Sequence, residues 1–451
     1  MVPVSCEIAP MLSFHANNRP ITRCCEPALK LIYTLLFYLA IPFLCLRLIW
    51  RGLRAPAYFK RWNERFGFIA TRNNRQPLIW VHAVSVGEVE ASRPLIKGLC
   101  EAYPDHQLLI TTMTPTGSER VKRLFADKVL HVYLPYDLPF AIRRFLKAMQ
   151  PQFGVIMETE LWPNLLLSCH KQNIPLVIAN ARLSARSAKG YQRFARFSQQ
   201  MLQSLPLIAT QTQADRQRFQ ALGAAADRVH AVGNLKYEIS LPASLNEQAE
   251  AMRAMWGNRP VWIAASTHEG EEEIILNAAK KVRGQFTDLL LIIVPRHPER
   301  FDRVAGLCRR NGLKTLRRSD NKPCPSSIQV LVVDTMGELP LFYATADIAL
   351  IGGSLVPHGG HNLLEPAALG RAVITGPHYF NFTEITERFL QFGAAVKVNN
   401  SADLASTVID LLADPKRRAE MGEAGQDLIN QSKGASARLL NLIQRHIQHG
   451  G

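Results

Sequence analysis

The sequence predicts an α/β protein of two Rossmann-like domains facing a cleft, with an N-terminal membrane-anchor helix. Three observations carry this expectation. After residue 75, near-continuous apolar runs alternate with helical stretches, the pattern of parallel strands buried on both faces by crossover helices. Around residues 233–250 the texture turns polar, "GNLKYEISLPASLNEQAE", and the alternation then begins again. Ahead of both, residues 31–46 carry no charge and are bounded by Lys30 and Arg47. A chain of 451 residues also exceeds what one hydrophobic core ordinarily serves, which fits two domains.

In chain order, residues 1–27 are polar and Cys-bearing and read as an extension. Residues 28–50 read as a membrane anchor. The uncharged run is slightly shorter than the ~20 apolar residues of a spanning helix, but Leu48, Ile49 and Trp50 prolong its apolar face and the flanking basic residues can snorkel. No small-residue cleavage site follows, which disfavours a secretory signal. Arg47, Arg51, Arg54, Lys60, Arg61 and Arg65 do follow, so the positive-inside rule leaves the long C-terminal part in the cytoplasm. A helix lying in the membrane plane is the alternative. Residues 58–68, "YFKRWNERFGF", fit a membrane-apposed helix and an ordinary charged surface helix equally well.

The first domain, residues 51–236, takes its strands from "PLIWVHAVS", "QLLITTM", "VLHVYLP", "QFGVIME", "PLVIANA", "PLIATQT" and "RVHAVGN", with "GSERVKRLFAD" and "DRQRFQALG" among its helices. Residues 237–250 read as a linker. The second domain, 251–451, follows with "PVWIAAST", "LLLIIVPR", "QVLVVDT", "DIALIGG", "AVITGP" and "AAVKV". "ARLLNLIQRHIQ" has an apolar stripe at helical spacing and should be a closing packing helix.

Composition narrows the function classes. Hydrophobic residues at 47% exclude a disordered chain. Eight scattered cysteines without a CxxC pair give neither a disulfide framework nor a zinc pattern. With 53 Lys and Arg against 37 Asp and Glu, a formal charge of +16 favours an acidic partner. No nucleic-acid motif appears and the basic residues are spread, so a phosphorylated substrate or an anionic membrane is expected rather than nucleic acid. Nothing in the sequence calls for a cofactor or a metal.

In open α/β sheets ligands bind beyond the carboxyl ends of the strands, and the candidate residues stand there. Ser85 and Glu88 in "SVGE" match a capping box; a carboxylate at that place also suits a general base. Glu158 and Glu160 in "METELWPN" fit acid–base work or a helix start. Lys236, at the hinge in "GNLKY", can reach a negative charge across the cleft or be a solvated linker lysine. Arg296 and His297 in "VPRHPERF" look like anion ligands. Gly337 in "DTMGEL" lets the backbone approach a ligand. In "IGGSLVPHGGHNLLEPAALG" paired glycines lead through His361 and Asn362 to a helix start with Glu365 in its first turn. That stretch is neither GxGxxG nor a Walker loop, and it suits a phosphate and ribose hydroxyls instead.

With these residues in hand, the chain resembles the Kdo transferases of lipopolysaccharide synthesis, which move 3-deoxy-D-manno-octulosonic acid (Kdo) from CMP-Kdo to the lipid A precursor. "HAVSVGE", "TTMTPTG", "ETELWPN", "NARLS", "GNLK", "ASTHEGEE", "VPRHPERF", "DTMGEL", "GGSLVPHGGHNLLEPAA" and "GPHYFNF" carry the resemblance in order. It implies a GT-B glycosyltransferase fold and inversion at the anomeric carbon. It further implies Glu88 as general base, with Glu158 and Lys236 stabilising the transition state. Arg296, His297, Met336, Gly337, Glu338, Asn362, Leu363, Leu364 and Glu365 would hold CMP. The expected place is the cytoplasmic side of the inner membrane, with no obligatory metal.

Overall fold

The computed structural model describes residues 25–72, 76–239, 241–242 and 244–448; the expected extension at residues 1–27 lies outside them up to residue 24. Two parallel seven-stranded sheets form the two domains. The first contains β1 (Leu78–His82), β2 (Gln107–Thr112), β3 (Val129–Tyr133), β4 (Phe153–Met157), β5 (Leu176–Ala181), β6 (Leu207–Thr210) and β7 (Val229–Ala231), in the order β3-β2-β1-β4-β5-β6-β7. The second contains β8 (Val261–Thr267), β9 (Leu290–Pro295), β10 (Thr315–Arg317), β11 (Val330–Val332), β12 (Ile348–Ile351), β13 (Ala372–Thr375) and β14 (Ala395–Lys397), in the order β10-β11-β9-β8-β12-β13-β14. Each order reverses direction at its first strand, between β1 and β4 and between β8 and β12. Those reversals create the crevices where α/β sheets receive ligands.

Every apolar run read as a strand is one. The addition is β10, whose three residues at a sheet edge include Thr315 and Arg317 and present no apolar run to read. The central strands are buried on both faces: β1, β4, β5 and β9 are buried throughout. Trp80 shows how the core is paid in packing. It is fully buried against Phe145 (ring centroids 5.1 Å, edge-on), and its indole N–H donates to Thr111 Oγ1 at 2.8 Å, so no polar atom is stranded. Truncating such a ring costs about 3–5 kcal/mol.

Three non-glycine residues adopt left-handed backbone at carboxyl strand ends: Glu158 after β4 (φ 58°), Asn180 in β5 (φ 56°) and Ser266 in β8 (φ 58°). The last two coincide with register shifts, between Ile178 and Ala181 and between Ala265 and Thr267. Each such residue costs roughly 1–3 kcal/mol and is held there by its surroundings. Asn180 illustrates this, since its Oδ1 accepts the Leu235 N–H at 2.9 Å and so ties β5 to the hinge.

The hinge is more ordered than its polar sequence suggests. Leu235 is buried in the first domain's core, while Tyr237 stacks on Phe389 of the second (6.3 Å, 23°). Gly233 has φ 100°, and a Cβ there would meet Ser432 Cα at 3.1 Å. The expected linker also ends early, because the helix Leu245–Trp256 begins inside it. The closing helix Ala435–Gln448 departs from the expected boundary. Its residues Leu439 and Ile443 pack with Val89 and Leu99 of the first domain rather than with the second. Its apolar stripe announces packing without naming the partner.

The helix α1 (Cys25–Arg54) contains Leu29–Leu53, long and apolar enough to cross a membrane. One stripe nevertheless docks on the first domain. Leu29, Phe37, Ile41, Leu44 and Leu48 pack inward, the last four against the cluster of Tyr136, Leu138 and Ala141. Tyr33 donates to Asp137 Oδ2 (3.0 Å) and Thr34 to Asn164 Oδ1 (3.2 Å). The opposite face, with Leu31, Leu35, Leu39, Phe43 and Leu46, is exposed. Residues 58–68 form neither kind of continuous helix expected. Short turns at Pro56–Phe59 and Trp62–Arg65 are separated by Arg61 at φ 60°, and Arg61 and Arg65 turn inward over the Tyr133 ring.

Candidate active site between the two sheets

Glu88 opens the helix Val86–Ala102 immediately after β1 and is only 8% exposed. Ser85 occupies the N-cap position in extended backbone, but its hydroxyl does not cap the helix. It donates instead to Glu88 Oε1 at 3.3 Å, while Glu88 Oε2 accepts the Val84 N–H at 2.7 Å. The reciprocal capping box legible in the sequence is therefore not formed. Burial raises the Glu88 carboxyl from 4.5 to about 8; the Val84 hydrogen bond and Lys236 oppose the rise, and Glu158 and Glu160 add to it. A helix N-terminus favours the ionised form, but here desolvation outweighs it.

Glu158 follows β4, and Lys236 sits in the hinge turn Leu235–Tyr237. The Lys236 ammonium lies 2.5 Å from Glu158 Oε1 but off the line of a good hydrogen bond, so the contact is an ion pair. Both side chains are about one-quarter exposed. The pair holds the hinge against the end of β4, beside Glu88. Glu160 accepts from the Trp162 indole at 2.6 Å, and burial, opposed by that bond, raises its carboxyl.

Across the cleft, Arg296 and His297 follow β9 and are exposed. The Arg296 N–H bonds Thr267 O at 3.0 Å, which sets this loop beside the end of β8. Met336 is 68% exposed, and Gly337 at φ 88° has open space around its Cα. Glu338 already has partners, Arg318 (2.9 Å) and the Thr335 hydroxyl. Burial would raise its carboxyl, but these partners take it below the usual range. Asn362 Oδ1 accepts the Leu364 N–H at 3.1 Å, at the start of the five-residue helix Leu364–Ala368. A helix this short carries little dipole, so its N-terminus alone is a weaker anion site than the sequence implies. The side chains of Leu363 and Leu364 are buried in the core, leaving only their backbones to face a ligand. Glu365 has its carboxyl raised by burial, with the Asn362 side chain opposing.

The sequence reading passed over Glu271, His268 and His358, and named His361 without giving it a role. Glu271 is fully buried and accepts four backbone N–H groups, from His268 (2.9 Å), Gly353 (2.6 Å), Ser354 (3.1 Å) and Leu355 (2.9 Å). It locks the turn after β12 to the end of β8. Above that turn His358 stacks on His268, and His361 meets His268 edge to edge with the two rings nearly parallel. The legible signal was that "THEGEE" and "PHGGH" both follow strand ends. Among the described residues, no group of three or more His, Cys, Asp or Glu is placed to hold a metal ion.

Comparison with known proteins accounts for both halves. Residues 60–239 match the family model described as 3-deoxy-D-manno-octulosonic-acid transferase (kdotransferase), and residues 261–428 match glycosyl transferases group 1. A 3-deoxy-D-manno-octulosonic acid transferase of Haemophilus influenzae is 42% identical over 422 residues, covering 93% of this chain and 99% of that one. One from Bordetella pertussis is 36% identical, covering 88% and 95%. Among solved structures, the C-terminal CMP-Kdo binding domain of WaaA from Acinetobacter baumannii is 36% identical with a TM-score of 0.41, covering 42% of this chain and 99% of that domain. With the family's model on the first domain and these relatives matched along nearly their full lengths, this GT-B glycosyltransferase belongs to the Kdo transferase family.

Proposed function

We propose that the protein transfers Kdo from CMP-Kdo to the lipid A precursor lipid IVA, with inversion at the anomeric carbon, and releases CMP. The observation that carries this reading is Glu88, a buried carboxylate oriented by the Val84 N–H beside the Lys236–Glu158 pair. In a single displacement the acceptor hydroxyl loses its proton to Glu88 as its oxygen attacks the anomeric carbon. The bond from that carbon to the phosphate oxygen breaks on the other face, and CMP leaves with the electron pair. Arg296 and the backbone near Asn362 meet the phosphate, and Glu365 meets the ribose. Lys236 and Glu158 set the field around the reacting carbon.

The same reading puts the protein on the cytoplasmic face of the inner membrane. The docked stripe of α1 favours an in-plane helix over a spanning one, since the domain accompanies it along the length that would cross. Its exposed ridge of Leu35, Leu39, Phe43 and Leu46 then enters the lipid, and the acceptor reaches Glu88 from that side.

The test is transfer by purified protein given CMP-Kdo and lipid IVA, read by mass spectrometry of the lipid. Product should form with the wild type and not with Glu88→Gln. A folded Glu88→Gln protein that transfers at the normal rate sinks the assignment. Activity should also survive a strong chelator; loss restored only by a divalent ion overturns the metal-independent scheme.

A further inference from the structure

We propose that His268 and His361 form a subsite for the carboxylate of the donor's acid sugar, separate from the residues that meet the phosphate and nucleoside. The proposal rests on the reading of the donor as a nucleotide-linked ulosonic acid. In such a sugar the carboxylate is bonded to the anomeric carbon, which also carries the phosphate oxygen. The donor therefore presents two anions a few ångströms apart, and its site needs two adjacent basic places. A nucleoside monophosphate linked to a neutral sugar would need one.

The second place is built. His268 Nε2 lies 2.8 Å from His361 Nε2, and the two rings are parallel (5.0 Å, 9°). His358 stacks on His268 (4.2 Å, 19°), and His297 meets His268 edge-on at 5.5 Å. The last contact puts the pair next to the Arg296–His297 loop. Gly353 makes room, since a Cβ there would come within 3.2 Å of the His361 ring and 3.3 Å of the His268 ring. Glu271 fixes the backbone of both His268 and Gly353, and the Gly360 N–H bonds Gly353 O at 2.8 Å.

The charges around the pair call for an anion. Facing it are His358, His297, Arg296 and, for His268, Arg300. Of the nearby carboxylates, Glu271 is committed to four amides, Glu272 to Arg300 and Glu269 to Arg303, while Glu299 lies in solvent 4.0 Å from His297 Nδ1. Burial first, and then these basic neighbours, hold His268 and His361 at about 4, so both are neutral in the empty site. A neutral pair shares one proton in an Nε2–H···Nε2 bond. A carboxylate arriving at its edge supplies the missing negative charge and draws one proton from solvent. Both Nε2 atoms then carry hydrogens, the bond between them opens, and each donates to a carboxylate oxygen.

The experiment compares His268→Gln and His361→Gln with the wild type. The KM for CMP-Kdo should rise about tenfold or more while inhibition by CMP, which lacks the carboxylate, stays within about twofold. Calorimetry in two buffers of different ionisation enthalpy should find uptake of about one proton on CMP-Kdo binding, lost in both variants. An unchanged KM, or CMP inhibition weakening in step with it, overturns the proposal. A second arm needs no turnover: binding of free Kdo to the CMP-saturated protein against its carboxyl-reduced alcohol. Preference for the acid that disappears in both variants supports the subsite, and equal binding overturns it. Absence of transfer with that preference intact strikes only the catalytic reading.

Discussion

Lys236 of the interdomain hinge pairs with Glu158 at the end of β4, with 2.5 Å between ammonium and carboxylate. This contact joins the position of the second domain to the charge around Glu88. It also divides labour among three carboxylates. Lys236 neutralises Glu158 directly, Trp162 hydrogen-bonds Glu160, and Glu88 is left buried with its neutral form favoured, so it must lose its own proton before it can accept one from a substrate.

Removing the cation should therefore act through Glu88. In Lys236→Met, Glu158 loses its counter-charge, and the opposing influence of Lys236 on Glu88 disappears. We expect kcat to fall roughly 10²–10³-fold and the rising limb of the pH profile to move to higher pH. Lys236→Arg should retain more activity than Lys236→Met. A Lys236→Met protein with unchanged kcat and an unshifted limb would leave the lysine structural only.

The pH dependence has a definite sign. A base with its carboxyl near 8 in the free protein is protonated below that value and cannot accept a proton, so kcat/KM should climb with pH through the region of about 8. Stability moves the opposite way. The native state holds this proton more tightly than the unfolded state does, so the contribution is fully present below about 4.5 and is lost as pH rises to about 8. Glu88→Gln removes that loss. Its melting temperature should match the wild type near pH 4.5 and exceed it by roughly 2–4 °C at pH 8 to 9. Equal melting temperatures across the range would contradict the burial argument.

Across the cleft, Arg182 after β5 donates to Glu384 of the helix Thr383–Gln391 at 2.6 Å. The arginine side chain is half exposed and the glutamate one-third, so solvent screens the pair and its worth is at most about 1 kcal/mol. Arg182→Ala should lower kcat/KM by less than about tenfold at low salt and much less at 0.5 M salt, with the melting temperature nearly unchanged. A large, salt-independent loss would instead place Arg182 on substrate.

These contacts mark where sequence reading succeeded and where it stopped. Buried parallel strands are continuous apolar runs, so β1, β4 and β9 declare themselves, and with them the positions of Glu88, Glu158 and Arg296 just beyond their carboxyl ends. An edge strand such as β10 has no second buried face, and nothing apolar betrays it. The stripe on Ala435–Gln448 predicts burial but holds no record of which domain receives it. The Ser85–Glu88 spacing fits a box whose reciprocal bonds the backbone does not make, because Glu88 reaches one residue further back to Val84. The Nε2–Nε2 contact of His268 with His361 joins segments 93 residues apart, a proximity that only the β8–β12 pairing creates.

The anchor helix yields the last prediction, because its two faces should fail in different ways. The inward stripe covers Tyr136, Leu138 and Ala141, and Tyr33 satisfies part of the buried Asp137. Deleting residues 1–54 strips that cover and leaves an apolar patch and a carboxylate short of a donor, so the truncated protein should aggregate rather than become a free catalytic unit. The outward ridge is mostly exposed. Leu35→Ser, Leu39→Ser, Phe43→Ser and Leu46→Ser together should leave a folded domain with near-normal secondary structure, because each of those side chains already faces away from it. Flotation with vesicles of anionic lipid separates the cases. The wild type should float, the four-fold variant should stay at the bottom while soluble, and its transfer to lipid IVA in vesicles should fall while transfer to a detergent-dispersed acceptor persists. If the four-fold variant floats as the wild type does, the outward ridge is not what holds the protein to the membrane.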